Sequence, residues 1–327
     1  MLLGGLAVVA MTLSRVSSLC RAPLSAVPLS GEVLQSSDQY QFLDCGDCMR
    51  LERFGSLLVS RSCPSAPGRR NPAAPWTSSD LSYEGRSGVA GVWRGEVGGG
   101  DWGVRIGERQ VFLLSPSPQG QVGLFPEQMD NWRWIRSTLS SYTPRCGEGR
   151  NAAVLNGFAY TGGSTLAALS PGGVVVTHLD ASRSFNLWAA RNVNASYGGL
   201  GSPTVRYVTE DCLTFVSREL RRGNSYDMLI FDPPAFGRFG NKVWKLDSDL
   251  ETLVDAFAPL LSDEPCGVCL SCHDVNWPSQ RLAGLLREKL KSRGGKVTSG
   301  DLELKSSFEG SSKSLKLGCY ARWTPSQ

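Results

Sequence analysis

Histidine is almost missing from this chain of 327 residues, which holds two, His178 and His273. That is too few for the zinc sites built on imidazole, and a cysteine set of three would still need a fourth ligand. The ten cysteines include C-x-x-C spacings at Cys45 and Cys48 and at Cys266, Cys269 and Cys272. The expectation is free thiols packed as small apolar groups in a reducing compartment, with no metal site. A long apolar run is lacking too: residues 1–13 are apolar, but a membrane span needs about 20 such residues. Excess charge is also absent. Net charge is +4, and removing the two cations Arg15 and Arg21 of the first 31 residues lowers it to +2. Bulk charge therefore does not indicate nucleic acid, and any such surface must come from local clustering. Those 31 residues hold no acid, are rich in serine and carry Pro23 and Pro28. That composition is the one organelle transit peptides show. With the apolar lead resembling a signal core, it points to an organelle, a plastid before a mitochondrion; otherwise the chain would be cytoplasmic. Residues 1–37 are set outside the fold.

What is present is organised around residues 154–165, VLNGFAYTGGST. A short apolar run enters a turn with Gly157, Gly162 and Gly163, and a helix-like stretch follows. Backbone N–H groups at such a turn are free for a ligand, and glycine allows close approach. A second apolar run, 173–179, ends in Asp180, some twenty residues after the turn. An acid there is the usual partner of a ribose diol in a doubly wound sheet. A third unit ends in Glu210 and Asp211, and a fourth, 226–231, runs into Asp232-Pro233-Pro234-Ala235-Phe236. Polar groups at four strand ends make one crevice. Asp180, Ser182 and Asp211 are also natural helix N-caps.

The phrases FAYTGGST, DASRS, EDCLTFV and FDPPAFGR resemble those of class I S-adenosylmethionine (SAM)-dependent methyltransferases. More narrowly they resemble the bacterial-type ribosomal RNA large-subunit methyltransferase family, whose members modify cytosine carbon 5 or guanine N7 of 23S rRNA. The likeness runs from about Tyr40 to Trp323. It implies an α/β fold with a doubly wound, Rossmann-like class I methyltransferase sheet, preceded by a small antiparallel β-module. The expected divisions are residues 1–37, the β-rich module 38–120, a helical linker or lid 121–146, and the SAM-dependent domain 147–327. No separate RNA-binding domain like that of larger relatives is visible.

The resemblance implies SAM as cofactor, with Phe158, Tyr160, Thr161, Gly162 and Gly163 around its methionine part. Asp180, Ala181 and Ser182 would serve the ribose, and Asp211 and Cys212 the adenine. Asp232 and Pro233 would lie between SAM and the acceptor. Gln128 and Asn131, on a helix beginning near Pro126, would close over the cofactor as a lid. On the substrate side stand Pro234, Phe236 (able to stack on a flipped base), Arg238 and Lys242. Asp232 and Cys272 are the catalytic candidates. Ser271-Cys272 sits where cytosine-modifying relatives carry a nucleophile, which attack at carbon 6 requires; His273 and Asp274 depart from the family's pattern there. Methyl transfer to a base of RNA, ribosomal RNA first, is the expected function. The alternatives are a small-molecule or protein acceptor, or an inert RNA-binding or assembly factor.

Overall fold

The computed structural model describes residues 39–85, 90–97, 102–144, 149–198 and 204–326; the leader expected at 1–37 lies outside them. Strands β1 (Tyr40–Gly46), β2 (Met49–Phe54), β3 (Leu57–Ser62), β4 (Leu81–Glu84) and β5 (Val92–Gly95) form one sheet in that order. Gly55, at φ 62°, turns the chain between β2 and β3, so that Phe54 faces Leu57. The module is antiparallel except at β3 and β4. Those two run parallel because the loop of residues 63–80 crosses back before pairing, as a parallel pair requires. A separate hairpin, β6 (Gly103–Ile106) and β7 (Gln110–Leu113), leads towards the lid.

Helix α1 (Met129–Ser140) is entered through a single 3-10 turn, Pro126–Gln128. Proline suits that first turn because its missing N–H would be unpaired anyway. Trp132, Ile135 and Leu139 fall on one face and are buried in the same apolar cluster as Phe42, Phe112, Val154 and Leu166. The β-module, the lid helix and the sheet behind them thus share one core. Burial of that stripe is what holds the helix, since twelve residues are marginal as an isolated helix.

The large sheet uses β8 (Ala152–Gly157), β9 (Val174–Asp180), β10 (Thr204–Thr209), β11 (Met228–Phe231), β14 (Gly267–Cys272), β15 (Lys296–Lys305) and β16 (Ser314–Thr324). Their order is β10-β9-β8-β11-β14-β16-β15, with the first five parallel. Helices α2 (Gly163–Leu169), α3 (Arg183–Tyr197), α4 (Cys212–Arg221), α5 (Leu246–Phe257) and α6 (Ser279–Lys289) connect them. Order reverses at β8, which puts the ligand crevice at the carboxyl ends of β8, β9 and β11. The tail is an antiparallel hairpin in which β16 inserts between β14 and β15 and β15 lies at the edge. Leu315, Cys319, Ala321 and Trp323 of β16 are buried there, which drives the insertion. The β15–β16 turn reaches back to β1, where Lys313 Nζ lies 2.8 Å from the buried Asp44 carboxylate.

Candidate active site

The glycine-rich turn leaves β8 with two non-glycine residues in the left-handed region, Phe158 at φ 55° and Tyr160 at φ 48°. Such residues cost about 1 kcal/mol or more each and persist where the surroundings over-determine them. Here Asp180, at the end of β9, is the clamp. Its Oδ2 accepts from the Tyr160 N–H at 2.8 Å and its Oδ1 from the Ser182 N–H at 2.8 Å. Burial pushes the Asp180 carboxyl up, and the two N–H donors oppose that shift.

The glycines of the turn are also fixed by packing. A Cβ on Gly157 would stand 2.5 Å from the Phe231 ring, and one on Gly163 within about the same distance of the Trp132 indole. The space beside both is filled by the protein's own aromatic rings, so neither position admits a side chain, and Gly163 also lines the cleft beyond the turn. Thr161, which also lines the cleft, is held by the protein itself. Its hydroxyl donates to the Gly123 carbonyl at 2.8 Å, and its own carbonyl accepts from Asn192 at 2.9 Å.

Beyond this turn opens a cleft walled by Phe125, Gln128, Trp132, Asn156, Phe158 and Tyr160, with Asp232 at one end. Asp232 gathers the polar groups. Ser271 Oγ donates to its Oδ1 at 2.7 Å and Gln128 Nε2 to its Oδ2 at 2.9 Å. His273 Nε2 stands 3.7 Å from Oδ1, while His273 Nδ1 donates to the Leu317 carbonyl at 2.9 Å. Burial alone would raise the Asp232 pKa; the imidazolium and these hydrogen bonds outweigh it and hold the carboxyl below its ordinary range. For His273, burial favours the neutral ring, but Asp232, Glu127 and the Leu317 carbonyl prevail and lift it to about 10. An ionised carboxylate beside a charged imidazole thus closes the cleft.

Gln128 lines the cleft and donates to Asp232. Asn131 does not line the cleft. It is 1% exposed, donates to Gln128 Oε1 at 2.6 Å and accepts from Arg322 Nε at 2.8 Å. Its part is to aim Gln128. Asp180, Ala181, Ser182, Asp211 and Cys212 lie along the same sheet edge, outside the cleft. Asp211 caps α4 through Thr214 N–H at 3.0 Å and also holds Lys242 Nζ at 3.2 Å. Lys242 is thus bonded within the protein rather than offered freely to a phosphate. Cys212 is buried against Gly157, and burial pushes its thiol well up.

After Pro233 and Pro234 the chain forms a hairpin, β12 (Phe236–Phe239) and β13 (Lys242–Lys245). Trp244 anchors it, donating to the Pro234 carbonyl at 2.6 Å and packing 5.0 Å from the Phe158 ring. The opposite face presents Phe236, 53% exposed, with Arg238 over its ring at 5.5 Å and Lys245 across the strand pair.

Cys272 is the correction that matters most. Its residue is fully buried, with Sγ 3.7 Å from Cys319 Sγ and near the Trp277 carbonyl. The Cys319 contact and burial push its thiol far above the ordinary range, which disfavours the thiolate a nucleophile needs. Successive residues of a strand face opposite ways. Ser271 therefore takes the crevice side, and Cys272 the core. Ser271, His273, Phe125, Trp132 and Asn156 are site residues that sequence reasoning did not assign.

Searches against known proteins agree with this geometry. A SAM-dependent methyltransferase from Agrobacterium tumefaciens is 31% identical and superposes with a TM-score of 0.81, over 90% of this chain and 92% of its own. This chain belongs to the SAM-dependent methyltransferases. A Streptococcus mutans structure, 16% identical, superposes on this methyltransferase with a TM-score of 0.64 over 89% of the chain and shows the shared fold alone. By sequence, the ribosomal RNA large subunit methyltransferase K/L of Magnetococcus marinus is 28% identical over 44% of the chain. The ribosomal RNA large subunit methyltransferase I of Aeromonas salmonicida is 31% identical over 41%. These matches span only 18% and 31% of those relatives' own length. No family model matches.

The residues fit the cofactor. The cleft offers aromatic walls for the sulfonium and its methionine chain, and an ionised Asp232 for positive charge. At Phe158 and Tyr160 it has a strained turn of the kind that persists at ligand sites.

Proposed function

We propose that this methyltransferase acts on a base of RNA, ribosomal RNA first, at a nitrogen rather than at cytosine carbon 5. The rRNA relatives support the substrate class. The observation that carries the reading is Asp232: an ionised carboxylate at the cleft end, two prolines before an exposed aromatic and basic hairpin. Bound SAM supplies an electrophilic methyl on a sulfonium. Asp180 would take its ribose hydroxyls, Asp211 with the Cys212 backbone its adenine edge, and the 158–163 turn with Gln128 its methionine part. Asp232, pinned by Ser271 and Gln128, orients the amino or ring nitrogen of the acceptor and takes up the positive charge that grows on it. Phe236 stacks on the extruded base, a contact of about 1–3 kcal/mol. Arg238 and Lys245 meet phosphates; Lys242 joins them only on leaving Asp211. Trp132 and Tyr160 keep water from the cleft, and positioning does most of the work.

Nucleoside mass spectrometry of rRNA treated with the full chain and SAM tests this. One methylated purine or N-methylated pyrimidine is expected, abolished by Asp232→Ala and kept by Cys272→Ala. A 5-methylcytidine lost in Cys272→Ala would overturn the nitrogen acceptor. Unchanged nucleosides, with SAM binding intact by calorimetry, would move the acceptor to a small molecule or protein side chain. We also retain the organelle address: a reporter fused behind residues 1–37 should enter a plastid, and a diffuse reporter refutes it.

A further inference from the structure

A second pocket lies on the far side of Trp132 from the cleft. It is an open space of about 410 Å³ between the β6–β7 hairpin and α1, lined by Ile106, Gln110, Met129, Trp132, Arg133 and Arg136 with Gly107. Its polar lining is rich in donors. Gln110 is 2% exposed and Trp132 3%, yet the amide nitrogen of the first and the indole nitrogen of the second have no hydrogen-bond partner. A buried donor left unpaired costs roughly 1–3 kcal/mol, so such groups call for a ligand. Arg133 and Arg136, one turn apart on α1, make no ion pair among the described residues, and the Arg136 guanidinium reaches to 3.5 Å from where a Gly107 Cβ would stand. The nearby acids do not neutralise them. Asp130 turns to Arg322, at 2.8 Å, and Glu108 lies exposed in the β6–β7 turn, off the pocket wall.

We propose that this pocket is an oxyanion site that takes a phosphate group, held by Gln110 and Trp132 from below and by Arg133 and Arg136 at the rim. Charge-assisted bonds from guanidinium to phosphate are about twice as strong as neutral ones. The site shares Trp132 with the cleft but none of the groups around Asp232, so it stands whether or not the acceptor is RNA.

Calorimetric titration of the full chain with sodium pyrophosphate, at fixed ionic strength, tests it. Saturable binding is expected, weakened at least tenfold in Gln110→Glu, which puts a carboxylate in the same volume, and in Arg136→Leu. SAM affinity should persist in Arg136→Leu, whose side chain is on the rim, which keeps the test decisive if Gln110→Glu fails to fold. Absence of saturable binding, or equal binding in wild type and Arg136→Leu, overturns the site. A short RNA oligonucleotide that displaces pyrophosphate would identify a phosphodiester as the natural occupant; pyrophosphate binding without such competition would identify a free phosphate.

Discussion

With two histidines, the chain allows its active-site electrostatics to be read one ring at a time. His273 is lifted from 6.5 to about 10, and His178 is lowered to about 3. Neither imidazole should titrate between pH 5 and 8, although an ordinary histidine does so there. The magnitude follows from the geometry. Unit charges 3.7 Å apart in an effective dielectric near 20 attract by about 4.5 kcal/mol, or roughly three pK units. The His273 side chain is 28% exposed, so solvent trims that figure. Asp232→Asn keeps the shape and removes the charge. It should lower the His273 pKa by at least about two units, bringing it into the observable window. Stability follows the same pair. The raised His273 contributes fully below its ordinary 6.5 and loses that contribution as pH climbs towards about 10. The lowered Asp232 contributes above its ordinary 3.8 and loses it as pH falls below that value. Proton–carbon NMR of the two rings against pH is the assay. A wild-type imidazole titrating near 6.5, or a His273 unmoved in Asp232→Asn, would refute the ion pair and with it the ionised state assigned to Asp232.

Other outcomes are checked more simply. Gly163→Ala drives a Cβ into Trp132, an overpacking that costs about 1–3 kcal/mol; both Tm and SAM affinity should fall. His178, buried behind the glycine turn with Thr165 Oγ1 at 2.8 Å from its Nδ1, is depressed by burial to about 3. Its neutral form is favoured in the fold, so stability present above pH 6.5 is lost as pH falls towards 3, by up to ~1.4 kcal/mol per unit; His178→Gln should flatten that acid limb of a Tm–pH curve. Asp211→Ala removes the α4 cap and frees Lys242, and denaturant unfolding should report a loss of about 0.5–2 kcal/mol.

The sheet and its crevice were legible because local signals repeat in register. Each of four apolar runs ends in a glycine or acidic residue, and a parallel sheet places such ends side by side. What escaped the sequence depends on partners far along the chain. Asn131 looks like a lid residue on a helix wheel; only β16, 191 positions away, shows that Arg322 occupies its carbonyl oxygen and turns it into the support for Gln128. The hairpin after Pro234 escaped because its strands are four residues each and its charges read as a solvated loop. Its pairing depends on Trp244 finding Phe158, a contact no local pattern announces.

The Ser271-Cys272 pair carries the sharper lesson, because local rules alone decide it once the parity of β14 is known. Side chains alternate along a strand, so only one of the two can meet Asp232. The register with β16 sets Cys272 opposite Cys319, and the two thiols share the apolar layer under Trp277. Ser271 then falls on the crevice face, 2.7 Å from Asp232. A nucleophilic thiol could reach the crevice only if β14 slipped by one residue. That slip would also turn Leu270, fully buried now, out of its core layer and bring the polar Ser271 into it. Burial of one leucine is worth about 1.5–3 kcal/mol, and a buried hydroxyl without a partner costs a comparable amount. The core therefore fixes which residue faces the acceptor, and through that choice it fixes the chemistry open to the site.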